Sequence, residues 1–292
     1  MNLPCFIALL ELESVDEVVF GNVVSAGVGQ APARQATLKA GLPVSTVCTT
    51  VNKVCSSGLK AVALAAQSIQ LGHASSAVAG GMESMSNAPF LVDGKARRGL
   101  GLGDGKLVDA VIKDGLWDPG HQLHMGSCAE ETAKKYKITR EQQDAYAQRS
   151  YERAQAAIKN ATFRNEIAAV GEVVNDEEPA KANFAKFPAL KPAFLREGGT
   201  ITAANASSLS DGAAAVVLAS EQEAQNKGLP VLAKIIAYAD AETEPKDFPI
   251  APALAIPKAL KRAQLEVKDI SLWEINEAFS VVVLANQQVS FY

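Results

Sequence analysis

Histidine and cysteine are scarce in this chain. Its 292 residues hold three histidines, His73, His121 and His124, and four cysteines, Cys5, Cys48, Cys55 and Cys128. The cysteines show neither disulfide nor zinc spacing, which points to a reducing compartment. His121 and His124 stand three apart, but no third and fourth ligand at zinc spacing accompanies them. No apolar run approaches the ~20 residues that a membrane-spanning helix needs. The first 12 residues are apolar and acidic without arginine, and resemble neither a signal peptide nor a transit peptide. A net charge of −4 gives no electrostatic reason to bind nucleic acid. Neither nucleic acid nor a membrane is expected as a partner.

What is present is ordinary globular composition, 48% hydrophobic and 21% charged, enough for a large core and one or two domains. The chain is organised around residues 51–85. A β-branched run, Thr49-Thr50-Val51, leads to Cys55, then Ser56, Ser57, Gly58 and a helix over 59–71. Leu59, Val62, Ala63, Ala66 and Ile69 form one face of it, and Ala61, Leu64, Ala65 and Leu71 cover much of the rest. A helix apolar on most sides is expected to be buried. Cys55 then stands at its N-terminus, where free N–H groups and the macrodipole favour a thiolate and hence a nucleophile. The other reading of Cys55 is inert packing, the commoner fate of a free cysteine. Gly58 admits another backbone close to the first turn.

Around this stretch, 18–24 reads as a strand broken by Gly21. A short helix over 33–40 is stopped by Gly41 and Pro43, and strands follow at 44–51 and 76–79. Strand, helix and strand in short order predict a layered α/β domain. Residues 87–120 are glycine-rich. Their run from Gly99 to Gly105 fails G-x-G-x-x-G spacing and reads as a loop. Thr139-Arg140-Glu141-Gln142 is a capping box that opens a helix to about 159. A mixed loop over 176–196 follows. A second α/β unit is expected from about 199, with strands at 213–219, 231–239 and 270–275 and helices at 221–227, 257–264 and 277–287.

Five motifs, in order, resemble those of the thiolases. They are Asn52-Lys53-Val54-Cys55-Ser56-Ser57-Gly58, Gly80-Gly81-Met82-Glu83-Ser84-Met85-Ser86, His124-Met125-Gly126-Ser127-Cys128-Ala129-Glu130, Thr202-Ala203-Ala204-Asn205-Ala206-Ser207 with Asp211-Gly212-Ala213-Ala214, and Asn276-Glu277-Ala278-Phe279. The resemblance runs over about 18–286 and is closest to the acetyl-CoA acetyltransferase (acetoacetyl-CoA thiolase) subgroup. It implies an α/β fold of α-β-α-β-α layers built from two pseudo-duplicated halves. The implied division is 1–84 for the first half, 85–198 for an inserted CoA-binding loop domain and 199–292 for an incomplete second half. The Gly-Gly-Met-Glu-Ser-Met and Asn-Glu-Ala-Phe segments argue against a ketosynthase or hydroxymethylglutaryl-CoA synthase.

The resemblance implies Claisen condensation of two acetyl-CoA to acetoacetyl-CoA, and the reverse thiolysis, through an acyl thioester on Cys55. Asn276 matches the asparagine that holds an oxyanion-hole water; on sequence alone it also reads as a helix-capping asparagine. His124 and Met125 match residues lining the acyl pocket, and Phe279 a wall of it, or else ordinary core. Lys181, Ala182, Asn183 and Lys186 fall where the family holds the CoA nucleotide, although arginine, valine and aspartate stand in the family where this chain has Lys181, Ala182 and Asn183. The bland reading there is a solvated basic loop. Ser207 matches the serine on the pantetheine arm. Tyr151, Ala203, Ala204 and Ala206 match a potassium site of hydroxyl and carbonyl oxygens; by spacing alone they read as a packed turn. No covalent cofactor is implied.

The family's Gly-His-Pro and Cys-x-Gly-Gly-Gly segments have no counterpart here, nor does its opening strand. The expectation is a chain shortened at both ends, with an unpaired sheet edge and slow turnover. The alternative is a non-catalytic acyl-CoA-binding or dimer-forming protein. The resemblance implies a homodimer or homotetramer in the mitochondrion, with the cytoplasm as alternative.

Overall fold

The computed structural model describes residues 11–92 and 94–290. Cys5, the start of the chain and the Phe291-Tyr292 ending lie outside the described residues. Two compact units share the rest. The first holds the chain to Leu116 with Ala168–Glu172 and Leu209–Ile235; the second holds Trp117–Ile167, Val173–Ser208 and the chain from Ile236 on.

The strands of the described residues are β1 (Glu17–Gly21), β2 (Val47–Val51), β3 (Ser76–Ser84), β4 (Phe90–Val92), β5 (Leu107–Asp109), β6 (Trp117–Asp118), β7 (Leu123–His124) and β8 (Asp211–Ala219). The α-helices are α1 (Pro32–Lys39), α2 (Ser57–Gln70), α3 (Met125–Lys135), α4 (Arg140–Lys159), α5 (Glu221–Asn226), α6 (Ala251–Ala263) and α7 (Ser280–Ser290).

The first unit is a four-stranded sheet in the order β2-β1-β3-β8, with two small hairpin strands, β4 and β5, beside it. β1 runs parallel to both β2 and β3. A strand flanked by parallel neighbours is covered on both faces and reads as a continuous apolar run; Val18, Val19 and Phe20 are that run, and all are buried. Val18 and Phe20 pack with Val15, Ala33, Leu42 and Val78. β3 is longer than the expected 76–79 because β8 pairs with it antiparallel along its whole length, from Ser76↔Ala219 to Ser84↔Asp211. The strand expected to open a second α/β unit therefore completes the first sheet instead. Gly80 is what lets it approach, since a Cβ there would lie 2.0 Å from the Ala214 carbonyl oxygen.

α2 is apolar nearly all round but not buried all round. Ala61, Ala63, Ala65 and Ala66 are buried, whereas Leu59 is 75% and Leu71 70% exposed. The alanine face alone lies on the sheet, because only small side chains allow so close an approach; the leucines at the two ends point away.

In the second unit α3, α7 and the segments beside them build a core of Ala129, Ala133, Ile138, Ile201, Phe279, Val281, Val282 and Ala285. The capping box forms as its sequence requires, with Thr139 and Gln142 each accepting from the other's backbone N–H. Buried Asn286 ties α7 to the start of α6: its Nδ2 donates to the Pro249 and Val282 carbonyls, both at 2.7 Å, and its Oδ1 accepts from Ala253 N at 2.8 Å. Two expected strands are absent. Residues 231–239 and 270–275 join no ladder among the described residues, and Leu232 and Leu272 are 91% and 83% exposed. β-rich composition supplies no hydrogen-bond partner, and without one a strand does not form. α7 begins at Ser280 rather than 277, because Ala278 and Ser280 are engaged with 205–207.

Gly80→Ala is expected to lower the melting temperature by more than about 5 °C, since the added carbon meets backbone on a paired strand. Gly101→Ala, where a Cβ meets nothing within 4 Å, serves as the control and is expected to leave the melting temperature unchanged.

Candidate active site

Between β2 and α2 the chain turns sharply. Val54 has φ 49°, in the left-handed region. A β-branched side chain is a genuine outlier there, and such strain costs about 1–3 kcal/mol. The turn is held by short contacts. Val54 N donates to Asn52 Oδ1 at 2.9 Å. Ser57 Oγ accepts from Lys53 N at 2.8 Å and donates to the Val54 carbonyl at 2.6 Å. Ser57 N and Ser56 N then close the turn onto the Val54 and Lys53 carbonyls. α2 begins at Ser57, with Ser56 as its N-cap, so Cys55 stands just ahead of the helix. Its first turn sits on β1 because position 21 is glycine: a Cβ there would lie 2.6 Å from the Ser57 carbonyl carbon.

Cys55 is exposed at its surface. Its thiol is nevertheless pushed above the ordinary range, because the protein crowded around it disfavours the thiolate more than the hydrogen bond from its own N–H favours it. Exposure measures access by a reagent and crowding measures solvation of the charge, so both hold. Against the expectation of a thiolate at the helix end, this desolvation favours the thiol.

Sequence reading missed the support beneath the turn. Glu83, on β3, accepts from Val23 N at 2.8 Å, Asn22 Nδ2 at 3.1 Å and Val24 N at 3.2 Å. Asn22 Nδ2 also donates to the Met82 carbonyl at 3.1 Å. The carboxylate thereby fixes the loop leaving β1, and Asn52 Nδ2 donates to the Val23 carbonyl of that loop at 3.3 Å. No local pattern announces a partner some 60 residues away; only the β1–β3 pairing brings it there.

In the second unit the structure brings His124, Met125, Phe279 and Ser207 together. His124 is the N-cap of α3, and its Nδ1 accepts from Gly126 N at 3.0 Å. Its proton therefore sits on Nε2, and burial lowers its pKa, so the ring is neutral. Phe194, which no motif singled out, stacks on His124 at 4.9 Å and meets Phe279 edge-on at 6.2 Å. Gly126 leaves room for it, since a Cβ there would fall 2.2 Å from the Phe194 ring. Met125 packs against the same core. Residues 205–207 pair with 278–280 through the Ala206↔Phe279 bridge, the Ser207 N–H to the Ala278 carbonyl and the Ser280 N–H to the Asn205 carbonyl, both 2.9 Å.

Tyr151 joins another group. It packs with Ala204, Phe184 and Phe187, the Phe187 ring centroid 6.1 Å from its own. Its hydroxyl pKa is raised by burial and by the negative charges of Glu178 and Asp176. Hydroxyl and backbone carbonyl oxygens, the groups that Tyr151, Ala203, Ala204 and Ala206 offer, are the donor chemistry of a hard cation. Lys181 is held by Glu178 at 2.9 Å and Glu177 at 3.7 Å. Asn183 and Lys186 are exposed beside it, with Ala182 half-buried. Phosphate contact by Lys181 would require it to exchange carboxylate for phosphate.

Asn276 is exposed and lies four residues ahead of α7, so it does not cap that helix. It lines a cleft of about 760 Å³ with Tyr146, Arg149, Ser150, Arg153 and Phe163. Its neighbour Glu277 accepts from Tyr146 Oη at 2.5 Å and Ser150 Oγ at 2.6 Å; burial and this carboxylate push the Tyr146 hydroxyl far up. Asn276 and the His124 group belong to the second unit and Cys55 to the first. His121 pairs with Asp118 at 2.7 Å, and no group of three or more His, Cys, Asp or Glu among the described residues is placed to hold a metal.

A strand-to-helix turn that lays a helix on a largely parallel sheet is the build of an α/β protein. The comparisons agree. Residues 8–222 match the thiolase N-terminal domain and 229–290 the thiolase C-terminal domain; the chain belongs to the thiolase family. It is 56% identical over 282 residues to an acetyl-CoA acetyltransferase of Yarrowia lipolytica, covering 94% of this chain and 70% of that protein. It is 53% identical over 283 residues to a mitochondrial acetyl-CoA acetyltransferase of Bos taurus, covering 94% of this chain and 66% of that protein. The chain thus spans about two thirds of the length of such relatives. A crystal structure of Acat5 thiolase from Ascaris suum in complex with coenzyme A matches with a TM-score of 0.94 and 48% identity, over 97% of this chain and 74% of that one.

His124 makes stability depend on pH. Its folded pKa lies below the unfolded value near 6.5, so the folded state binds fewer protons; its contribution is complete above about pH 6.5 and is lost as pH falls. His124→Asn keeps a capping acceptor without the titration. The gap in melting temperature between parent and variant is expected to narrow from about pH 7.5 to 5.5; a gap independent of pH would contradict the assignment.

Proposed function

We propose that the chain acts as an acetyl-CoA C-acetyltransferase. The observation that carries this is Cys55 on its held turn, within a chain of this family. Cys55 sulfur attacks the thioester carbonyl of acetyl-CoA, the bond to the CoA sulfur breaks, CoA leaves with the proton, and the acetyl group stays on Cys55 as a thioester. A second acetyl-CoA gives up a proton beside its carbonyl to a base, and its carbon bonds to the acyl carbon. Cys55 departs as thiolate and acetoacetyl-CoA forms; the base's proton then restores the Cys55 thiol. Thiolysis is the reverse.

Negative charge develops on a thioester oxygen in each half, and donors aimed at it matter most. Asn276 offers an amide that both donates and accepts, suited to holding an oxyanion-hole water. His124, neutral with Nε2–H free of the cap, lines the acyl pocket with Met125 and Phe279. Ser207 meets the pantetheine arm. Lys181, Ala182, Asn183 and Lys186 face the nucleotide end, with Tyr151 packed behind them. The Tyr151 hydroxyl and the Ala203, Ala204 and Ala206 carbonyls would hold a potassium ion, which would supply a fixed positive charge beside that loop.

We keep 1–84, 85–198 and 199–292 as proposed functional segments; they cut across the two compact units, since β8 lies in the first sheet. We place the protein in the mitochondrion, as several relatives are named, and expect a homodimer or homotetramer. Among the described residues β2 is an edge strand, with Val47 exposed, an edge on which a second copy could pair.

The raised Cys55 thiol favours one second reading, a protein that binds acyl-CoA or pairs with another copy without turning over. Intact-mass spectrometry after mixing with acetyl-CoA separates the two. The expected result is a single acetyl adduct that Cys55→Ala abolishes. Binding of acetyl-CoA without an adduct would leave the second reading; neither adduct nor binding would end both.

A further inference from the structure

We propose that Asn52 is a positioning residue for Cys55: its carboxamide spans from the loop clasped by Glu83 to the Val54 N–H and holds the left-handed turn that sets where the sulfur stands. The inference rests on the reading of Cys55 as nucleophile.

Valine does not enter the left-handed region by its own preference. Two side chains hold it there. Ser57 grips the Lys53 N–H and the Val54 carbonyl from inside the first turn of α2, and it is buried, so its place is fixed. Asn52 grips the Val54 N–H, and it is exposed, so no packing fixes it. Its second contact does. Nδ2 donates to the Val23 carbonyl, while the Val23 N–H is held by Glu83 Oε2. The carboxamide is thus oriented with oxygen toward Val54 and nitrogen toward Val23. The path runs from β3 through Glu83, Val23, Asn52 and Val54 to Cys55, all within one unit. Because Asn52 is exposed, its loss is read in the placement of the thiol more than in stability.

The test uses the full chain and iodoacetamide alkylation of Cys55, followed by peptide mass from about pH 6 to 10, with Cys48 and Cys128 as internal references. In the parent, alkylation is expected to rise only above the ordinary thiol range. Asn52→Ala is expected to change the plateau rate at Cys55 at least about fivefold, because small displacements of a reacting group have large effects on rate. Asn52→Asp keeps an acceptor for the Val54 N–H but sets an oxygen against the Val23 carbonyl, so it is also expected to change the plateau rate, the orienting contact being lost. A Cys55 profile of Asn52→Ala that superimposes on the parent's would overturn the inference.

Val54→Gly guards against a folding failure, since glycine takes the left-handed turn unaided. Adding Asn52→Ala to Val54→Gly is then expected to change the rate by less than about twofold further. A further fivefold change there would also overturn the inference, because Asn52 would be acting by another route. A parent that takes no acetyl group yet shows the fivefold alkylation effect overturns the proposed activity and keeps the positioning; an acetylating parent with an unresponsive profile does the reverse.

Discussion

The first turn of α2 rests on bare backbone. Gly21 on β1 faces Ser57, and Gly81 on β3 faces Gly58, whose Cα would lie 3.4 Å from a Cβ at position 81. Any side chain at position 21 would push the helix off the sheet. Three features follow from that approach. The alanine face of α2 can lie on β1 and β3, the chain must turn within a few residues between β2 and the helix, and the turn must pass through a conformation valine resists. Cys55 stands at the end of that turn, so the placement of the thiol is a consequence of sheet packing.

The same crowding works against ionisation. A helix N-terminus favours an anion, yet burial raises the Cys55 thiol by more than the hydrogen bond from its own N–H lowers it. The sulfur therefore keeps its proton near neutral pH, and the proton must leave as the acyl group arrives. A nucleophile of this kind depends on placement more than on a standing charge. Under the proposed function, the supports beneath the turn, Glu83 and Asn52, would bear on the chemistry by placing the sulfur.

How much of this was legible depended on the range of the interaction. The capping box at Thr139 is four consecutive residues, and it forms as its sequence predicts. The apolar strand Val18-Val19-Phe20 and the cysteine ahead of its helix are equally local. The left-handed Val54 had one legible cue, an asparagine two residues earlier, the usual spacing of an Asx turn. Glu83 and Phe194 had none, because their partners arrive only through tertiary pairing. His124 as an N-cap was hidden because a ring nitrogen seldom plays that part. Residues 231–239 and 270–275 misled because composition predicts a strand's surface and says nothing of its partner. The apolar run at 59–71 misled in the opposite sense, since Leu59 and Leu71 are apolar and face out.

The second unit holds His124 by the same economy of small residues and stacked rings, with Gly126 admitting Phe194 against it. The central claim is that an acetyl group carried on Cys55 goes on to form a carbon–carbon bond. The most direct measurement is a chase of the isotopically labelled acetyl-enzyme with unlabelled acetyl-CoA. The account predicts that label leaves Cys55 in acetoacetyl-CoA and that the free thiol returns. Label that stays on Cys55, or leaves only as acetate, would contradict it.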